Sequence, residues 1–340
     1  DKQWCGILVF HAVMAPGQMP SGLVFLTQGI AVEQMEAHHL ILRARTLQAE
    51  KNAVLSSSLA DGLVYYMSGV EFGERCPDYS FIVTKLKVLF ENSLTREFSC
   101  EMGLLMNRIF NTLTRPSGEA DNSLIKIAGR YQEQDGVSSY LFSMKENTKI
   151  GLLSSPITEV NFTGAQLLIG GEAGDSAVDF LLDGELYFED RQEEDGLDLY
   201  SYGQEDGGLG FTGLCVHMEQ QHFEIRSSQM VFLAEGSLVR EGSFASQIPM
   251  NPVGLEVHDE DGVSPETLGY MGISVDGMKQ AQLSKQWSGI LWEIPLGGMG
   301  LLSEELSPRL LLLTAFSPDA SIFQSDAMRR REDAPTKRYV

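Results

Sequence analysis

Positive charge is scarce in this sequence. Its 25 lysines and arginines stand against 47 aspartates and glutamates, a formal net charge of −22. A nucleic-acid ligand is held by cationic side chains that release counterions from phosphate, so a polyanionic body excludes that partner class. An anionic membrane surface is excluded on the same ground. Long apolar runs are also missing. The four leucines Leu310–Leu313 are the longest strongly apolar stretch, far below the roughly 20 residues of a membrane-crossing helix. No secretory leader pattern is present. Cysteine is sparse: Cys5, Cys76, Cys100 and Cys215 lie far apart. That spacing excludes a zinc knuckle, and the density is too low for a disulfide framework, so the four read as buried thiols. The chain starts at Asp1 rather than Met, almost on an apolar strand-like run. It reads as a processed product or a slice of a longer polypeptide.

Catalytic signatures are absent as well. There is no HExxH, no G-x-S-x-G elbow and no Cys–His family pattern. Gly208–Gly213 (GLGFTG) matches G-x-G-x-x-G, but the residues that follow, LCVHMEQQHFEI, carry no helical face. Without a βαβ setting the run reads as a glycine-rich β-turn, and no dinucleotide cofactor is expected. Around Gly262, Asp259 and Asp261 suit a calcium loop, but Val257 and Leu268 stand where its first and last acidic ligands belong. An irregular calcium site is the one cofactor reading left. Otherwise the acidic stretches 189–195 and 259–261 are solvated loops. His38 and His39 are adjacent and would face opposite ways on a strand. His217 and His222 are five apart and share no strand face, so no histidine metal site is assigned. Asn161-Phe162-Thr163 is a glycosylation sequon of a kind that arises often by chance.

What the sequence does have is period two. In 80–90 (SFIVTKLKVLF), Ile82, Leu86, Val88 and Phe90 share a parity, with Lys85 and Lys87 on the other. Phe98, Cys100, Met102, Leu104 and Met106 repeat the pattern. So do Val178, Phe180, Leu182, Leu186 and Phe188, with Asp179, Asp183 and Glu185 opposite. Successive strand side chains point to opposite faces, so each run predicts a strand with one buried face. Asp135-Gly136 joins two such runs and suits a two-residue hairpin, whereas alternation continues through Asp183-Gly184, which fits a bulge as well as a turn. The best helical stretch is 33–50, although its LILR centre reads equally as strand. The 34 glycines add turns. Together these features predict an all-β, mainly antiparallel sandwich or barrel-like fold. The polar interruption at 145–156 divides the expectation into β-rich domains at 1–150 and 151–326, related to each other as subdomains, and a basic extended tail at 327–340. One phrase recurs: KQWCGIL at 2–8 and KQWSGIL at 285–291, with six of seven positions identical. Recurrence suggests equivalent strands in related subdomains or a window on a longer repeat array, with Ile7 and Ile290 at corresponding core positions. A weaker echo links NFTGAQLLIGG at 161–171 with GFTGLCVHM at 210–218.

These features predict a non-enzymatic structural or adhesive β module of a larger protein or assembly, with a protein partner or self-association. The tail 327–340 carries Arg329, Arg330, Arg331, Lys337 and Arg338 against two acidic residues, which leaves −25 on the rest of the chain. Those five cations are the expected assembly contacts, docking on an acidic surface of another copy or partner. The competing expectation is a carbohydrate-active or glycan-binding sandwich. Asp183 and Glu185, one strand repeat apart, are its best acid pair, and Trp4, Trp287 and Trp292 its stacking residues, although Trp4 and Trp287 begin apolar runs and suit a core. An extracellular or particle-surface setting is favoured over others.

Overall fold

A computed structural model describes residues 6–14, 26, 35–44, 58–67, 79–91, 94–110, 112–115, 124–134, 137–153, 157–170, 177–188, 208–219, 222–226, 230–233, 250–258, 287–295 and 309–316. The protein is all-β, and no α-helix occurs among these residues. A first antiparallel sheet contains β1 (Gly6–Met14), β2 (Met35–Ala44), β3 (Ser58–Met67), β4 (Tyr79–Glu91), β5 (Leu94–Met106), β8 (Leu124–Gln134) and β9 (Val137–Met144), in that spatial order. Between β5 and β8 the chain leaves for the second sheet as β6 (Arg108–Ile109) and β7 (Thr112–Arg115). That sheet continues with β10 (Thr148–Leu152), β11 (Ile157–Gly170), β12 (Ala177–Phe188), β13 (Leu209–Glu219) and β14 (His222–Arg226), while β15 (Val231–Leu233) also pairs with β13. A third, three-stranded sheet holds β16 (Asn251–His258), β17 (Trp287–Pro295) and β18 (Arg309–Phe316).

Alternation explains the layering. Along β12, Val178, Phe180, Leu182, Leu186 and Phe188 are buried, and every intervening odd-numbered residue is only half-buried. The inward face of this second sheet meets β4 of the first. Phe180 lies against Phe81 with ring centroids 5.6 Å apart, and Tyr79 stacks on Phe223 at 6.1 Å. One apolar core therefore runs through both sheets, a sandwich with side chains interdigitating between them. The third sheet adds Leu255, Ile290, Trp292 and Ile294 to the same core. The passage at 145–156, where the sequence turns polar, is where the chain crosses from β9 to β10 and β11.

Several expectations change here. The stretch 33–50 holds β2, a strand, because Met35–Ala44 pairs with β1 and β3 on its two sides. In β4 the buried residues are Phe81, Val83, Leu86 and Val88, while Ile82 and Phe90 are half-buried. A register shift between Val83 and Lys85 switches the parity, and the Thr84 hydroxyl there donates to the Glu101 carbonyl at 3.1 Å. All of the GLGFTG run after Gly208 lies within β13 rather than in a turn. Asp183-Gly184 is not a turn but lies beside two bulges, whose extra residues belong to β11 at Thr163 and to β13 at Thr212-Gly213. Strands β8 and β9 pair as the expected hairpin, with Gln134 opposite Val137, while Asp135 and Gly136 lie outside the described residues.

The described parts of the recurring phrase, residues 6–8 and 287–291, lie in two strands in unlike surroundings. Among the described residues β1 is the outermost strand of its sheet, with Ile7 61% exposed, whereas β17 lies between β16 and β18 with Ile290 fully buried. The two isoleucines thus do not share a core position. The single difference between the copies, Cys5 against Ser288, falls where β17 docks. Ser288 is buried, and its hydroxyl donates to the Phe110 carbonyl at 2.9 Å. Phe110 itself has φ 49°, a left-handed conformation that costs a non-glycine residue energy. Full burial of its ring and the bonded carbonyl hold it there. Trp4 and the Trp287 side chain lie outside the described residues.

Candidate functional site

The outward face of β12 and β13 carries a row of polar groups, and the sandwich dictates which ones. Asp179, Asp183, Glu185 and Tyr187 alternate with core residues of β12, so all four point away from the core. Asp183 sits at the bulge. Its carboxylate accepts from the Thr212 hydroxyl and, at 3.0 Å, from the Gly213 N–H. Gly213 has φ 76°, which glycine adopts without steric cost. Gly184 is confined differently: a side chain there would overlap the Asn161 carbonyl oxygen of the neighbouring strand. Asp183 thus acts as a clamp on an irregular piece of sheet. Glu185 accepts from the Tyr187 hydroxyl at 2.8 Å and from the Asn161 amide at 3.4 Å. Burial, then this hydrogen bond and the charge of Glu185, raise the Tyr187 phenol above its ordinary pKa.

Further along the same face, His217 of β13 stands opposite Asp179. Its Nδ1 lies 2.6 Å from Asp179 Oδ1, and its Nε2 lies 3.8 Å from Glu219. Cys215, two residues before His217, is buried. Burial, with the Asp179 charge second, pushes its thiol up to about 12. A thiol so protonated is not a nucleophile at neutral pH, and the His217 nitrogen that could face a base partner is already bound to Asp179.

A second cluster stands on β1 and β2. His11 pairs directly with His38 across the ladder, ring centroids 5.1 Å apart. Glu36, two residues before His38, shares its face and places Oε2 3.1 Å from His38 Nε2. One ligand atom from each of His11, Glu36 and His38 falls within 4.8 Å of the others. Among the described residues this is the one such group of three. His39 turns to the other face, where its ring meets Phe10 edge-on at 6.3 Å, and it has φ 54° beside a register shift between His38 and Ile41. Adjacent histidines face apart, as their spacing predicts. Sequence reasoning paired each histidine with its nearest neighbour in the chain and so missed His11, 27 positions from its cross-strand partner. The available signal was Glu36-x-His38, a same-face spacing once the segment is a strand.

The outer edge of β1 is the third feature. Ile7, Leu8, Phe10 and Val13 are exposed, and among the described residues β1 hydrogen-bonds on one side only, to β2.

Other expected site residues are placed as follows. Trp292 is fully buried, which removes it from any sugar-stacking surface. Arg329, Arg330, Arg331, Lys337 and Arg338 lie outside the described residues, as do Asp259, Asp261, the 189–195 acidic stretch, Cys5 and Cys76. Among the described residues no helix is long and apolar enough to cross a membrane. Compared with known proteins, the chain matches no family model, no curated protein and no solved structure.

Proposed function

We propose that the chain is a non-enzymatic structural or adhesive β module of a larger protein or multi-subunit assembly. The observation that carries this reading is β1, which among the described residues pairs on one side only, with β2. An outermost strand presents a row of unpaired backbone N–H and C=O groups, and such edges are ordinarily blunted with lysine, proline or bulges. This one instead bears Ile7, Leu8, Phe10 and Val13 on the surface, with Phe10 69% exposed. It suits strand addition by another chain, in which ladder hydrogen bonds and apolar side chains both contribute. The basic segment with Arg329, Arg330, Arg331, Lys337 and Arg338 adds a cationic arm to the −25 remainder of the chain, and its docking on an acidic surface of a second copy belongs to the same proposal.

A glycoside hydrolase or glycan-binding reading would need Asp183 and Glu185 as an acid and a nucleophile. Their hydrogen bonds to Thr212, Gly213, Tyr187 and Asn161 are those of a sheet clamp and weigh against it. Light scattering of the full chain across a concentration and salt series tests the assembly reading. Wild type is expected to associate, Phe10→Lys to reduce that association, and deletion of 327–340 to weaken it most at low salt. A wild-type monomer at every concentration and salt would overturn it.

A further inference from the structure

We propose that His11, Glu36 and His38 form a binding site for one divalent transition-metal ion of the zinc class. The argument begins with the ladder. Antiparallel pairing of β1 and β2 sets His11 opposite His38, and the two-residue repeat of a strand brings Glu36 to the same face. The three side chains therefore converge because of the register and not by chance rotamers. Two imidazoles and one carboxylate are a donor set that zinc and its first-row neighbours take readily. Hard cations such as calcium take oxygen ligands and have little affinity for imidazole.

The distances suit the ion. Tetrahedral zinc with bonds near 2.0–2.1 Å holds its ligand atoms roughly 3.3 Å apart. His38 Nε2 and Glu36 Oε2 are already 3.1 Å apart, and all three ligand atoms lie within 4.8 Å of one another. His11 and Glu36 are exposed and His38 is half-buried, so modest side-chain rotation closes the remaining gap without moving the backbone. Three protein ligands leave the fourth position open to water at the sheet surface, the arrangement of an accessible rather than a structural site. His39, on the other face against Phe10, takes no part.

The cluster at His217 does not compete: its two carboxylates approach opposite nitrogens of one ring, at 2.6 and 3.8 Å, so three ligand atoms do not converge there.

The test uses the full chain, stripped with a chelator and dialysed free of it. Zinc is titrated by calorimetry, and cobalt(II) is added to a parallel sample to read its visible d–d absorption. One saturable site per chain is expected, with the intense cobalt bands of a low-coordinate centre. His11→Ala, His38→Ala and Glu36→Gln are each expected to weaken binding by at least about tenfold. His222→Ala, at an exposed histidine on β14, is expected to leave it unchanged. Glu36→Gln keeps shape and exposure, so it decides the question even where a histidine variant folds poorly. No saturable uptake by wild type, or wild-type affinity in all three cluster variants, overturns the proposal. Because binding is counted per chain, assembly through the β1 edge can fail without affecting this result.

Discussion

Truncating Phe180 probes whether the two large sheets share one core. Phe180 is fully buried on β12, and its ring meets Phe81 of β4 across the sandwich at 5.6 Å with planes 52° apart. Phe180→Ala removes the whole ring from a site walled by both sheets, and a buried phenylalanine truncated to alanine costs about 3–5 kcal/mol once the residual cavity is included. Phe81→Ala falls on the same contact from the other side. The aromatic pair itself is worth about 0.5–1.5 kcal/mol beyond area burial, so the double variant should be less destabilised than the sum of the singles by about that amount. Urea unfolding followed by far-UV circular dichroism and by tryptophan fluorescence measures all three variants. A shared core predicts coincident transitions by the two probes, and one midpoint that moves as a unit. Two resolved transitions of which only one shifts, or a coupling within about 0.3 kcal/mol of zero, would refute the shared core and favour separate units on either side of residue 150.

Two further outcomes follow from the outward face and the thiols. Asp183→Ala should cost about 2 kcal/mol, because the Gly213 N–H and the Thr212 hydroxyl both lose a charged acceptor at the bulge; a loss under about 0.5 kcal/mol in urea titration, the range of an ordinary surface change, would end the clamp reading. With Cys5 and Cys76 replaced by serine, Cys100 and Cys215 should resist thiol reagents at pH 8 until the protein unfolds, since burial pushes both up to about 12. The folded state then keeps two protons that the unfolded chain releases, so stability is intact below pH 9.0 and declines as pH rises from there toward about 12. Rapid labelling of the native protein, or a flat stability profile across that window, would contradict it.

How far the sequence could be read depends on the regularity of each strand. Strand β12 was fully legible, since its five apolar core residues follow strict alternation and the bulges beside Asp183-Gly184 take their extra residues from β11 and β13. Strand β4 was legible as a strand but not in its facing. The shift at Val83 and Lys85 exchanges the parity, and an extra residue in a ladder leaves no trace in a hydropathy pattern that is apolar on both sides of it. Strand β2 was ambiguous because LILR satisfies a helical stripe and a strand equally, and only its two partners decide. The recurring phrase misled about position. The shared Gly-Ile-Leu lies in a strand in both copies, yet exposure depends on how many neighbours that strand acquires, among the described residues one for β1 and two for β17. The histidine cluster was illegible for the same reason: register between β1 and β2 is a property of pairing.

The excursion of β6 and β7 gives the molecule a mechanical character. From β1 to β5, strands adjacent in the chain are adjacent in the sheet. Among the described residues β1 is the outermost strand, so tension applied through it is expected to break its ladder to β2 first and then to peel the sheet strand by strand. The unzipping meets a stop at β5. Its continuation is stitched into the opposite sheet as β6 and β7, where Ser288 of the third sheet also holds the Phe110 carbonyl. Beyond that stitch, further extension must pull the facing sheets away from each other. Pulled from β1 in a single-molecule experiment, the fold is expected to yield first at its outer strands and to resist most at the β5–β7 crossover.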